Sequence, residues 1–315
     1  MRITRPVVLS AFIVAMGPFA QIAAGLQEPA PPPVIGRWDI TVTASGTTYP
    51  SWLEVQQSGT RTLVGRFVGR GGSARPISKI EFANSVLRFS IPPQWEQGDG
   101  DLHVEGKLDG DRLTGWMTDP AGKRLTWTAN RAPSLRRTKP PEWGAPIRLA
   151  DTDTSAWQLS GGESQWRVVD HVLTNLKAGA NLVTRQRFTD FKLHLEFRCP
   201  KDSNSGVYLR GRYEVQIEGT AGLEPINDVL GSIYGFLSPN DDAGRPPGEW
   251  QTYDITLVGR QVTVALNGKT IICSAEIPGT TGGALDSDEG APGPLMLQGD
   301  HGPVEFRNIV LTPAQ

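Results

Sequence analysis

The sequence predicts an all-β protein, a small N-terminal antiparallel barrel followed by a larger jelly-roll sandwich. Apolar and polar residues alternate with a period of two, as in "WDITVTAS" (38–45), "LHVEGKLDG" (102–110) and "FKLHLEF" (191–197). The runs are short and are separated by Ser-Gly, Gly-Gly, Asp-Gly and Ala-Gly pairs, which carry turn chemistry. Strong helical periodicity is absent beyond the N-terminal segment, and 36 Gly with 25 Pro in 315 residues favours many turns.

Residues 1–25 begin with Arg2 and Arg5, continue through an apolar run from Val7 to Phe19, and end in small residues. That layout predicts a secretory signal peptide and a secreted or periplasmic protein, with no membrane span once it is removed. A proline-rich spacer, "QEPAPPPV", leads into the barrel region, residues 34–132. Its alternating segments from "WDITVTAS" to "KRLTWTANR" should close on themselves. Gly36-Arg37-Trp38 is similar to the Gly-x-Trp that opens lipocalin-type barrels, and Trp38 is expected to plug the core. Residues 133–146 hold four prolines beside Arg136, Arg137 and Lys139 and read as a semi-rigid linker. On that reading residues 147–315 form a jelly roll able to fold alone. The loop between Glu218 and Glu249 is long and rich in Gly, Pro and Asp, and such loops usually carry function.

A formal net charge of −2 gives no electrostatic footprint for nucleic acid. Two cysteines, Cys199 and Cys273, leave a disulfide open, and with four scattered histidines they do not make a structural zinc site.

"SNSGVYLRGRYEVQIEG" (203–219) is the most informative stretch. It separates Val207, Leu209, Val215 and Ile217 from Tyr208, Arg210, Glu214, Gln216 and Glu218. Only an odd-length turn keeps one face dry, and a turn at 211–213 would oppose Arg210 to Glu214 and Tyr208 to Gln216. The resulting polar face holds planar, hydrogen-bonding groups suited to sugar hydroxyls, which points to a cleft floor.

With this hairpin, "RPPGEWQTYDI" (245–255), "VALNGK" (264–269) and "LQGDHGPVEFRNIVL" (297–311), the chain resembles the 3-keto-disaccharide hydrolase domain family over about residues 150–313. The resemblance implies a concanavalin-like jelly roll and enzymes that act on glycosides oxidised at C3. A 3-keto group acidifies the C2 hydrogen, so a base can remove it and expel the C1 substituent, and water can add back. That chemistry needs a base, an enolate stabiliser and an acid. Glu214 and His301 are the candidates for base and acid, and Arg210 for the enolate. Asn204, Tyr208, Gln216, Glu218, Tyr234, Trp250, Gln298 and Asp300 are the candidates for substrate binding. The sequence requires no cofactor, although Asp300 beside His301 leaves room for a divalent cation such as calcium. The expected partner is an oligosaccharide or glycoside.

Two alternatives remain open at this stage. Glu214-x-Gln216-x-Glu218 is similar to the Glu-x-Asp-x-Glu strand of family-16 retaining glycosidases, with Gln in place of Asp. A non-catalytic carbohydrate-binding module would need only the polar cleft and its aromatics.

Overall fold

A computed structural model describes residues 30–150, 152–220, 222–224 and 226–315. The signal-peptide segment, 1–25, lies outside the described residues. All regular structure described is β. Eight strands form the first part: β1 (Gly36–Ala44), β2 (Thr47–Ser58), β3 (Thr62–Val68), β4 (Arg75–Ala83), β5 (Val86–Ile91), β6 (Leu102–Asp109), β7 (Arg112–Thr118) and β8 (Arg124–Arg131). Each pairs antiparallel with the next, and β1 pairs with β8, so the barrel is closed and has no open edge. Its interior is filled by inward residues of the alternating strands, among them Trp38, Phe67, Leu87 and Trp127. Trp38 is fully buried and its indole N–H donates to the Val34 carbonyl at 2.9 Å, so it is the plug the sequence predicts.

The jelly roll begins with β9 (Ile147–Arg148), β10 (Trp157–Ser160), β11 (Trp166–Val169) and β12 (Val172–Asn175). It continues with β13 (Asn181–Phe188), β14 (Phe191–Arg198), β15 (Asn204–Leu209) and β16 (Tyr213–Glu218). β17 (Gln251–Val258), β18 (Gln261–Leu266), β19 (Lys269–Glu276), β20 (Gly293–Leu297) and β21 (Val304–Pro313) complete it. One sheet has the order β10-β13-β20-β15-β16, and the other β11-β12-β21-β14-β17-β18-β19 with β9 beside β21. Phe191, Leu193, Leu195 and Phe197 from one sheet meet Val207, Leu209, Val215 and Ile217 from the other in a single core. These are the apolar halves of the alternations read from the sequence.

The proline-rich linker does not hold two freestanding bodies apart, because residues Pro33–Gln315 form one compact unit. Trp52 of the barrel is fully buried and meets Phe236 of the long jelly-roll loop edge-on, with ring centroids 5.2 Å apart. A Cβ on Gly279 would fall 2.1 Å from the Trp52 indole nitrogen, so only glycine allows that approach. Backbone bonds run from Ala74 N to Gly235 O (3.3 Å) and from Gly283 N to Arg70 O (3.0 Å). Thr41 and Ser287 share a 2.7 Å hydroxyl contact, and Arg37 pairs with Glu276.

At the same interface Asp39 of β1 is hydrogen-bonded to Glu289. Burial, then the neighbouring Glu289 charge, pushes Asp39 up to about 10. Burial also acts on Glu289, but Arg260 at 2.5 Å outweighs it and holds that carboxyl below its ordinary value. The proton of the pair therefore resides on Asp39.

Cys199 is buried, Cys273 is exposed, and both are free thiols. Among the described residues no helix is long and apolar enough to cross a membrane.

Candidate active site

The hairpin turns one residue earlier than the sequence predicts. Arg210 and Gly211 take φ of 53° and 66°, and Tyr208 O and Leu209 O accept from Gly211 N and Arg212 N at 3.2 and 3.1 Å. The three-residue turn is therefore Arg210-Gly211-Arg212, and the ladder opposes Tyr208 to Glu214 and Gly206 to Gln216. Relative to expectation, each partner moves by two residues, which keeps every strand side chain on its expected face. Arg210 alone leaves the strand. It is buried at the far end, where its guanidinium donates to the Tyr213 hydroxyl (2.8 Å) and to the Gly259 (3.2 Å) and Glu289 (3.3 Å) carbonyls. Arg210 is thus a structural residue outside the cavity and cannot serve as the enolate stabiliser.

The polar face of β13, β20, β15 and β16 floors a cavity of about 520 Å³, within the range of about 300–1,000 Å³ common for small-molecule sites. Eight of the eleven predicted site residues line it: Glu214, His301, Asn204, Tyr208, Gln216, Tyr234, Gln298 and Asp300. Arg210, Glu218 and Trp250 do not. Trp250 lies under the guanidinium groups of Arg307 and Arg198, 4.0 and 4.8 Å from its ring, against the other sheet. Glu218 is half-buried at the end of β16, outside the cavity that holds Glu214, so the two do not face each other as a carboxylate pair.

Glu214 is the buried carboxyl of the cavity. Tyr208 Oη lies 2.8 Å from its Oε2 and 3.0 Å from Gly282 O, and its backbone N–H donates to Thr281 Oγ1. A Cβ on Gly206 would sit 2.3 Å from Glu214 Oε1, so the carboxyl lies flat against a glycine strand backbone. Burial pushes the Glu214 pKa up to about 8, against the opposing pull of the Tyr208 hydrogen bond and the His301 charge. At neutral pH the proton is on Glu214, which can donate to the Tyr208 oxygen while Tyr208 donates to Gly282.

His301 and Asp300 form a pair with Nδ1 2.6 Å from Oδ1. The Asp300 hydrogen bond raises the imidazole pKa above 6.5, and the Glu214 charge adds to it. Burial acts against Asp300, but the His301 bond and charge outweigh it and hold that carboxyl below its ordinary value. With Nδ1–H committed to Asp300, the other ring nitrogen of neutral His301 is free to accept a proton. Gln216 Oε1 and Gln298 Oε1 are buried without partners, while Gln298 Nε2 approaches Tyr208 Oη at 3.5 Å. The unpaired oxygens accept hydrogen bonds and so suit a hydroxyl-rich ligand.

The sequence reading missed several contributors. Asn181, at the start of β13, accepts from Gly299 N at 2.7 Å and donates to Asp300 Oδ2 at 3.4 Å, tying down the His301 turn. Gly71, Gly72 and Trp95 of the barrel close one wall against Gly282 and Gly283. Trp95 had a signal, since an aromatic inside "PPQWEQGDGD" (92–101) has no alternating strand to bury it. Among the described residues no three His, Cys, Asp or Glu side chains group as metal ligands.

Residues 145–312 match the family described as a 3-keto-alpha-glucoside-1,2-lyase-like domain, and the chain belongs to that family. Membership gives the protein a carbohydrate-active role. No curated protein matches the chain. Similar solved structures include three Parabacteroides distasonis proteins, each provisionally designated a glycosyl hydrolase. One is 30% identical over 56% of this chain and 92% of its own, with a TM-score of 0.45. A second is 19% identical over 54% and 94%, with a TM-score of 0.46. A third is 24% identical over 53% and 98%, with a TM-score of 0.42.

Proposed function

We propose that this chain is an exported enzyme that cleaves 3-keto-glycosides by elimination across C1–C2 followed by hydration. One observation carries the reading: a buried glutamic acid with a pKa of about 8 shares its cavity with an Asp-oriented histidine. The pair places a carboxylic acid and an imidazole base in one cavity, the two kinds of group that proton abstraction beside a ketone requires.

In the proposed sequence His301 takes the C2 proton, and the C–H electrons move into the enolate of the 3-keto group. Asn204 and Gln298 line the same cavity, and an amide N–H from either suits the enolate oxygen. Collapse of the enolate breaks the C1–O bond, and Glu214 gives its proton to the departing oxygen. The Glu214 carboxylate then takes a proton from the water that adds at C1, and His301, whose exposed imidazolium has exchanged its proton with solvent, delivers a proton to C2. Both groups end as they began, and the net change is hydrolysis. Export is supported by Arg2, Arg5 and the apolar run that follows them.

The test is turnover of an α-linked 3-keto-glucosyl-glucose beside the unoxidised disaccharide. Cleavage of the first only is expected. Cleavage of the unoxidised sugar at an equal rate would mean that the ketone plays no part.

A further inference from the structure

Trp95 is 72% exposed and is the one exposed Phe, Tyr or Trp among the described residues. Its backbone is nevertheless fixed. The Glu96 carboxylate accepts from Gln94 N (2.9 Å) and Trp95 N (3.2 Å), and Arg75 grips both of its oxygens at 2.6 and 3.2 Å. Arg75 also donates to Pro92 O at 2.9 Å, closing the loop at its start. Gln94 is latched to Ser73 N at 3.0 Å, and the indole lies beside Tyr234 in the cavity lining. On the other side a Cβ on Gly72 would reach 2.8 Å from Trp95 Cδ1, and one on Gly282 would reach 2.5 Å from Gly72 O. The ring thus stands exposed on the cavity wall in a prepared position, while Glu214 and Tyr208 lie buried in the same cavity.

Leaving a large apolar ring in water while ordering the loop that carries it is unfavourable unless something covers the ring. Trp95 and the acid–base pair line one cavity, so what covers the ring is the part of the substrate beyond the scissile bond. We propose that Trp95 is the platform of a leaving-group subsite that takes a second pyranose ring, stacked by its C–H face on the indole. The barrel, which lies outside residues 145–312 of the family domain, then selects disaccharides over simple alkyl glycosides. This inference rests on the reading that the cavity processes 3-keto-glucosides.

The test compares kcat/KM for an α-linked 3-keto-glucosyl-glucose and for methyl 3-keto-α-glucoside in the full chain, Trp95→Ala and Trp95→Phe. Trp95→Ala is expected to lower the disaccharide-to-methyl ratio about tenfold, with Trp95→Phe recovering most of it. A ratio within about twofold of wild type in Trp95→Ala overturns the subsite, as does an alanine variant no worse than the phenylalanine one. Melting temperatures of the three proteins establish that all are folded. If the wild-type chain turns over neither substrate, the catalytic reading fails and the subsite is still decided by binding. Calorimetric titration of unoxidised α-glucosyl-glucose is then made into Glu214→Gln with and without Trp95→Ala. An affinity loss of about tenfold supports the platform, and equal affinities or no binding in either protein overturn it.

Discussion

Glu214→Gln keeps the shape and hydrogen-bonding reach of the side chain and removes its titrating proton. If Glu214 is the acid that protonates the leaving oxygen, kcat on the 3-keto substrate should fall about 10²–10⁴-fold. Stability should move the other way, and the sign follows from the burial. The folded chain holds this carboxyl at about 8 against an ordinary 4.5, a penalty of order 5 kcal/mol on the ionised form. Between those values the unfolded chain has lost the proton and the folded chain has kept it. Unfolding free energy therefore declines by up to about 1.4 kcal/mol per pH unit from this group, and levels off above about pH 8. Gln carries no such term. Urea denaturation at about pH 5 and about pH 8 should show the variant gaining on wild type by a few kcal/mol at the higher pH. Near wild-type kcat, or a stability difference that is the same at both pH values, would refute the role assigned to Glu214.

Other predictions follow from particular contacts. Gly206→Ala places a methyl group on the Glu214 carboxyl, so activity should drop about 100-fold or more for a stability cost of about 1–3 kcal/mol by denaturant melt. The pH–kcat/KM profile should be a bell, falling on the acid side as His301 protonates above its ordinary 6.5 and on the alkaline side as Glu214 ionises near 8; Glu214→Gln should remove the alkaline limb from its residual rate. Asp39, held at about 10, keeps a proton that the unfolded chain releases near its ordinary 3.8, so stability is lost as pH rises between these values. Asp39→Asn should flatten that decline, measured by denaturation at about pH 6 and about pH 9. A chain truncated to begin at residue 133 loses the Trp52 packing and the Gly71–Gly72–Trp95 wall. It should be inactive or insoluble, as activity and light-scattering measurements would show.

The site floor was legible in the sequence because strand alternation is robust. Tyr208, Glu214 and Gln216 share a face under any three-residue turn, so a register displaced by two residues left them in place. Arg210 was lost for the same reason that the others survived. Its left-handed φ of 53° puts it in the turn, and neither alternation nor β-propensity reports which residue next to a glycine will bend. Trp250 reads as a site aromatic from its loop position, but Arg198 and Arg307 that cover it are distant in sequence. Trp95 left a trace in the sequence, but the Gly71–Gly72 part of the wall was invisible because it depends on glycine-to-glycine approaches such as Gly72 to Gly282, across more than two hundred residues of chain.

The central claim is that the bond breaks after a proton leaves C2. The most direct test is cleavage of an α-linked 3-keto-glucosyl-glucose in D₂O, with deuterium at C2 of the 3-keto-glucose product read by NMR against a sample without enzyme. Elimination and hydration predict a deuterium at C2 for each turnover, delivered from exchanged His301. A product that retains its original C2 hydrogen would show direct displacement at C1 and contradict the account.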